Sequence, residues 1–201
     1  MAHFREEKVT MRTRRYICVT DLEATCWDEP EQPGECGKTM VEPRSEIIEI
    51  GCVMVESDRM VTVGEFQTLI KPKLNPVLSD FCKGLTNISQ EMVDGGTSFE
   101  WACEGLSVWL RKWGVVDITF ASWGYYDFKQ LSLDCELHGV EFPFTGEHLN
   151  VKTHFSEKKG FAKGKGQGKA ANILGIEWEG AQHRALDDAR MAAKVLIKVG
   201  L

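Results

Sequence analysis

A run of apolar, β-branched and aromatic residues, Arg15-Tyr-Ile-Cys-Val-Thr20, leads without a break into two acids, Asp21 and Glu23. The run has the make-up of a buried strand. A fold for this chain must therefore bring carboxylates to the end of an interior element. Period-two alternation sets Asp21 and Glu23 on one face, with Leu22 turned away. Carboxylates that close repel each other, and burying them is costly unless a cation sits among them. A strand end fraying into solvent would suit the same residues, so the pair alone leaves the choice open.

The rest of the pattern predicts a mixed α/β domain. Ile47 to Val55 reads as a second strand and Val61 to Ile70 as a third, paired antiparallel through a turn at Ser57-Asp58-Arg59. Leu78 to Val93 reads as short helical turns around a Gly84-Leu85-Thr86-Asn87-Ile88 loop. From Thr97, the residues Phe99, Cys103, Leu106, Leu110 and Trp113 recur at helical steps, with Thr97 and Glu100 at capping-box spacing and Gly114 as the stop. Ile118 to Ala121 is a fourth strand, followed by a helix from Tyr125 to His138. Leu149 to Val151 is a fifth strand, Lys169 to Leu174 a short helix ended by Gly175, and Arg184 to Lys198 the last helix. Three strands followed by alternating helices and strands give one five-stranded sheet, antiparallel first and parallel in its later additions, flanked by helices.

The 201 residues suit a polar N-terminal arm, 1–14, and one domain, 15–201, with a Pro/Gly-rich loop over 28–45. The arm lacks an apolar h-region, so no secretory signal is expected. No stretch of ~18 apolar residues is present, so no membrane partner is expected. The seven cysteines, Cys18, Cys26, Cys36, Cys52, Cys82, Cys103 and Cys135, are odd in number and lack Cys-x-x-Cys spacing. Several lie in apolar runs, which points to reduced core thiols and a cytoplasmic protein, with a zinc site on Cys26 and Cys36 as the alternative. A net charge of −6 argues against bulk electrostatic coating of nucleic acid, not against a local basic groove.

Further residues carry the chemical signal of Asp21 and Glu23. Asp188 shares a stripe of the last helix with Ala185, Ala192 and Val195, and an acid on a core-facing stripe needs a partner. The alternative is a buried Asp that caps a neighbouring helix. His183 lies five positions earlier, where it is either an inert loop residue or a group that takes a proton from a water. Asp127 opens the helix after the fourth strand, where the helix dipole alone would favour an acid. Lys158, Lys159, Lys163, Lys165 and Lys169, interleaved with glycines, suit either a phosphate backbone or a solvated loop. Trp27, Trp123 and Tyr126 flank the acids and suit base stacking or packing.

Taken together, Asp-x-Glu, a distant Asp and His-x4-Asp resemble the DEDDh exonucleases, relatives of the proofreading subunit of DNA polymerase. The likeness is closer to the Eri-type 3′–5′ exoribonucleases, the branch with the histone-mRNA exonuclease and the bacterial KapD-like proteins. It rests on Asp21-Leu-Glu-Ala-Thr-Cys26, Glu46-Ile-Ile-Glu-Ile-Gly51, Phe81-Cys-Lys-Gly-Leu-Thr-Asn-Ile88, Ser122-Trp-Gly-Tyr-Tyr-Asp127 and His183-Arg-Ala-Leu-Asp-Asp-Ala189. The resemblance implies an RNase H-like fold and two divalent ions, Mg²⁺ or Mn²⁺. It implies that Asp21, Glu23 and Asp188 hold one ion, that Asp21 and Asp127 serve the other, and that His183 is the general base. It implies substrate contacts from Ala24, Thr25, Leu85, Thr86, Trp123, Tyr126, Lys165 and Lys169. The implied reaction removes nucleoside 5′-monophosphates from the 3′ end of single-stranded nucleic acid, RNA preferred. A DNA-directed proofreading or repair enzyme, and an inactive binding protein on the same scaffold, are the alternatives. No separate RNA-binding module of the kind that precedes the nuclease in histone-mRNA enzymes is expected.

Overall fold

The computed structural model describes residues 16–28, 44–114 and 118–201. The arm over 1–14, Arg15, Cys36 and most of the expected 28–45 loop lie outside the described residues. Five strands form one sheet in the order β3-β2-β1-β4-β5. β1 (Tyr16–Ala24) pairs antiparallel with β2 (Ile47–Glu56), and β2 pairs antiparallel with β3 (Val61–Leu69). β4 (Ile118–Ser122) adds parallel to β1, and β5 (His148–Asn150) parallel to β4. The expected mixed sheet is the one observed.

β1 and β2 are buried on both faces, which is why their sequences are nearly unbroken apolar runs. Tyr16, Cys18 and Leu22 face a core layer with Phe99, Leu106 and Leu131, residues of the helices α3 (Phe99–Arg111) and α4 (Tyr126–His138). Ile17 and Val19 face the opposite way, onto Leu186, Ala189, Ala192 and Ala193 of α7 (Ala185–Val199). Asp21 and Glu23 continue that second alternation and so lie on the α7 side.

The first correction concerns their setting. β1 does not stop at Thr20; it pairs in register with β2 through Glu23 and, after a shift of register, at Ala24, so both acids are inside a strand. Asp21 lies opposite Gly51 and Glu23 opposite Glu49. Gly51 is what admits α7. A Cβ there would fall within van der Waals overlap of the Ala185 carbonyl carbon and the Leu186 nitrogen. Without a side chain at Gly51, the start of α7 rests directly on β2 beside Asp21.

Other differences are local. α1 (Asp80–Thr86) includes Gly84, Leu85 and Thr86, so the loop before α2 (Gln90–Asp94) is shorter than expected. α3 is capped by Ser98, whose hydroxyl accepts from the Trp101 N–H, instead of by Thr97. The backbone of Thr97 is already committed to a bridge with Ile70, so Thr97 cannot turn into the cap. α5 (Val151–Lys158) was not expected at all; it takes over Val151 from the expected fifth strand. α6 (Gln167–Leu174) begins two residues before the expected Lys169, and Gly175 ends it in the left-handed conformation.

Gly51→Ala is expected to push α7 off the sheet and to cost about 1–3 kcal/mol by overpacking. Urea denaturation measures this; wild-type stability in that variant would mean that α7 is not seated as described.

Candidate metal and nuclease centre

Elements distant in sequence bring the five expected residues together. Ligand atoms of Glu23, His183 and Asp188 all lie within 4.8 Å of one another. Glu23 and Asp188 are buried, and His183 is exposed at the rim. Asp21, outside that group of three, is half-buried and feels the charges of Asp127, Asp188, Glu23 and Glu49. Asp127, buried in the first turn of α4, reaches β1 and accepts from the Leu22 N–H at 3.2 Å.

Crowding shows in the protonation of these acids. Burial, then the Asp127, Asp188 and Glu23 charges, pushes Asp21 well above the ordinary carboxylate range. Burial followed by the Asp188 and Glu49 charges raises Glu23 to about 8. Desolvation raises Asp127 to about 6, although N–H donors partly offset it. Burial also raises Asp188, against the opposing hydrogen bond from His183. Positive charge among these groups would reverse the penalty.

Asp188 gives the most direct sign that a cation belongs here. Its Oδ2 accepts the His183 N–H at 2.9 Å. Its Oδ1 is buried with no hydrogen-bond partner. A carboxylate oxygen in that state is costly unless something outside the chain meets it. An all-oxygen cluster with one imidazole at its edge suits a hard divalent ion. His183 holds φ of 60°, in the left-handed region, and its bond to Asp188 helps pay for that strained backbone.

Three residues that build the centre were missed. Glu49, fully buried, lies across from Glu23, where like charges repel. Its carboxylate accepts from Arg184 Nε at 3.1 Å and Nη2 at 2.7 Å, from the Ala185 N–H at 3.0 Å and from Gln67 Nε2 at 2.6 Å. Arg184, the N-cap of α7, has no side-chain cap bond of its own, so Glu49 serves that helix start. Gly51 completes the seat. The signals were present: an acid inside an unbroken apolar run, and a glycine inside a strand.

The expected substrate contacts are placed as follows. Ala24 is buried, and its carbonyl accepts from the Cys82 thiol at 3.7 Å. Thr25 is buried and bonded through its hydroxyl to the Glu46 N–H. Leu85 is exposed on α1, whereas Thr86 is buried with its hydroxyl donated to the Cys82 carbonyl. Much of the Tyr126 side chain is exposed, yet desolvation, followed by the Asp127, Cys26 and Glu23 charges, raises its phenol to about 12. Trp123 packs on Phe155 at 6.3 Å, so its ring is engaged in the core. The Lys165 ammonium lies over Phe161 at 4.8 Å, and Lys169 is exposed on α6. That helix adjoins the centre, because Gln167 at its start donates to the Asp188 carbonyl at 2.6 Å.

A family model described as an exonuclease, RNase_T, matches residues 18–196. The chain belongs to the exonuclease family. The probable 3′-5′ exonuclease KapD of Bacillus subtilis is 34% identical over 154 residues, covering 75% of this chain and 71% of that protein. The rat 3′-5′ exoribonuclease 1 is 28% identical over 194 residues, covering 92% of this chain and 52% of the relative. The chain thus spans about half the length of that curated relative. The nuclease domain of 3′hExo, a DEDDh family member solved bound to rAMP, superposes with a TM-score of 0.78 at 26% identity. That match covers 92% of this chain and 90% of the other. This exonuclease is therefore of the Eri-type DEDDh branch with the RNase H-like fold, and divalent metal use follows from that membership.

Two outcomes test the centre. In chelator, stability should fall between about pH 5 and pH 8. Raised carboxylate pKa values stabilise the fold while the groups are protonated, and that contribution is lost as pH climbs through the folded values. Saturating Mg²⁺ or Mn²⁺ should flatten the slope in thermal melts, and Glu23→Gln should flatten it without metal. Separately, Glu49→Ala should cost on the order of 2 kcal/mol or more, because it strips a partly buried Arg184 and the α7 start of their acceptor. Denaturation curves that overlay wild type would remove Glu49 from this role.

Proposed function

We propose that the protein is a 3′–5′ exoribonuclease that removes nucleoside 5′-monophosphates one at a time from single-stranded RNA. The observation that carries this reading is the convergence of Glu23, His183 and Asp188 within 4.8 Å, with Asp188 Oδ1 buried and unpartnered. Two ions, Mg²⁺ or Mn²⁺, fit the donor set, with Asp21, Glu23 and Asp188 holding one and Asp21 and Asp127 serving the other. Such ions polarise the phosphodiester and stabilise charge on the leaving oxygen. His183, at the exposed rim, takes the proton from the attacking water. Fixed carboxylates on β1, α4 and α7 supply orientation that needs no rearrangement during the reaction.

Ribose preference is supported by the names of the relatives and by the rAMP in the 3′hExo structure. Exposed Leu85 and Tyr126 suit the walls of the pocket for a terminal nucleotide, and Lys165 and Lys169 the approaching backbone. The six described cysteines are free thiols, which supports work in a reducing compartment such as the cytoplasm. Among the described residues no helix is long and apolar enough to cross a membrane.

Digestion of 5′-labelled RNA and DNA oligomers of one sequence, with Mg²⁺, Mn²⁺ or chelator, tests the reading. A one-nucleotide ladder from RNA that needs metal is the expected result. An equal or faster ladder from DNA would assign the activity to the DNA-directed alternative, and retention of intact strands with metal would assign a binding role. Asp21→Ala should abolish cleavage with the fold intact by circular dichroism. His183→Ala should slow it by about 100-fold or more while metal binding persists, since its role is proton transfer.

A further inference from the structure

α4 depends on outside support to place its functional residue. Its N-cap, Tyr125, makes no side-chain cap bond, yet Asp127 in its first turn must reach the Leu22 N–H across the sheet. The neighbouring edge strand β5 supplies His148. Its Nε2 lies 2.9 Å from Ser122 Oγ at the end of β4. The Ser122 hydroxyl donates to the Gly124 carbonyl at 3.0 Å, inside the turn that leads into α4. The imidazole stacks on Phe128 at 5.0 Å and 20° and meets Tyr125 edge-on at 4.9 Å. The residue after Asp127 and the N-cap two before it thus both lean on this ring.

The ring's own bonding fixes its proton. His148 Nδ1 is buried with no hydrogen-bond partner. An N–H in that place would be a buried donor without an acceptor, which is costly, while a bare lone pair costs less. The proton therefore sits on Nε2, and His148 donates to Ser122. Burial lowers the imidazole below its ordinary value, so the ring is neutral. Ser122, accepting from the ring, directs its single proton away from it, to the Gly124 carbonyl.

We propose that His148 is a positioning residue for the nuclease centre: through Ser122 and the Gly124 carbonyl, and through its ring against Tyr125 and Phe128, it fixes the turn between β4 and α4 from which Asp127 reaches β1. The inference rests on the reading of Asp127 as a member of the metal centre. His148 touches neither ion nor RNA; it sets the geometry of the group that does, as outer-shell partners of metal ligands do.

The test compares His148→Phe, which keeps a stacking ring without the donor, with His148→Gln, which keeps an N–H donor. In the full chain, Mn²⁺ binding is followed by electron paramagnetic resonance, and kcat and KM are measured on an RNA oligomer. His148→Phe should weaken Mn²⁺ binding and lower kcat, each by about tenfold, with KM for RNA changed by less than about twofold. His148→Gln should stay within about threefold of wild type in both. Ser122→Ala should match His148→Phe, and the double variant should be no worse than either, because one chain of bonds is cut in all three. Wild-type Mn²⁺ binding in His148→Phe would overturn the proposal. So would equal losses in the Phe and Gln variants, or additive losses in the double variant. If the wild type binds Mn²⁺ but leaves RNA intact, the proposed function fails, and the Mn²⁺ series still decides the role of His148.

Discussion

The centre depends on how closely a helix can approach a sheet. Asp188 meets Glu23 only because α7 begins in direct backbone contact with β2, at the one residue of that strand with no side chain, Gly51. Contact alone would leave the first N–H groups of α7 buried and unpaired. Glu49, two residues before Gly51 on the same face of the strand, accepts the Ala185 N–H and holds the Arg184 guanidinium. Shape complementarity and charge therefore act at one place. The resulting seat presents His183 before the helix and Asp188 one turn into it.

A protein that assembles four carboxylates this way works against its own stability. Desolvation is the largest cause of the raised protonation of each, and mutual repulsion adds to it. The surrounding fold offsets the cost with buried sheet strands and the apolar layers on both faces. Beside them, Glu49 is neutralised by a cation of the chain, Arg184, whereas among the described residues no Lys or Arg pairs with the four, a setting that suits a divalent metal.

Much of this was legible in the sequence because burial writes itself into local pattern. β1 and β2 are apolar runs since both faces are covered, and Asp188 stood out because Ala185, Ala192 and Val195 define a core-facing stripe. Length of the first strand was misjudged because acids normally end strands, whereas here pairing with β2 continues past both acids. α5 escaped notice because its eight residues, Val-Lys-Thr-His-Phe-Ser-Glu-Lys, mix β-branched and polar types with little helical preference. Its cap was readable: Asn150 accepts from the Thr153 N–H. The seat at Gly51 and the service of Glu49 to α7 were not legible, because both are defined by a partner more than 130 residues away.

Asp188 divides its two oxygens between different duties. One accepts the His183 N–H, and the other is buried without a partner, where the proposed metal would meet it. On the proposed reading, a single torsion of that side chain would govern both the grip on metal and the position of the His183 backbone. A change at Asp188 would then alter metal affinity and the setting of His183 together, which leaves residues farther out, beyond the proposed ligands, as the place where the two properties can evolve apart.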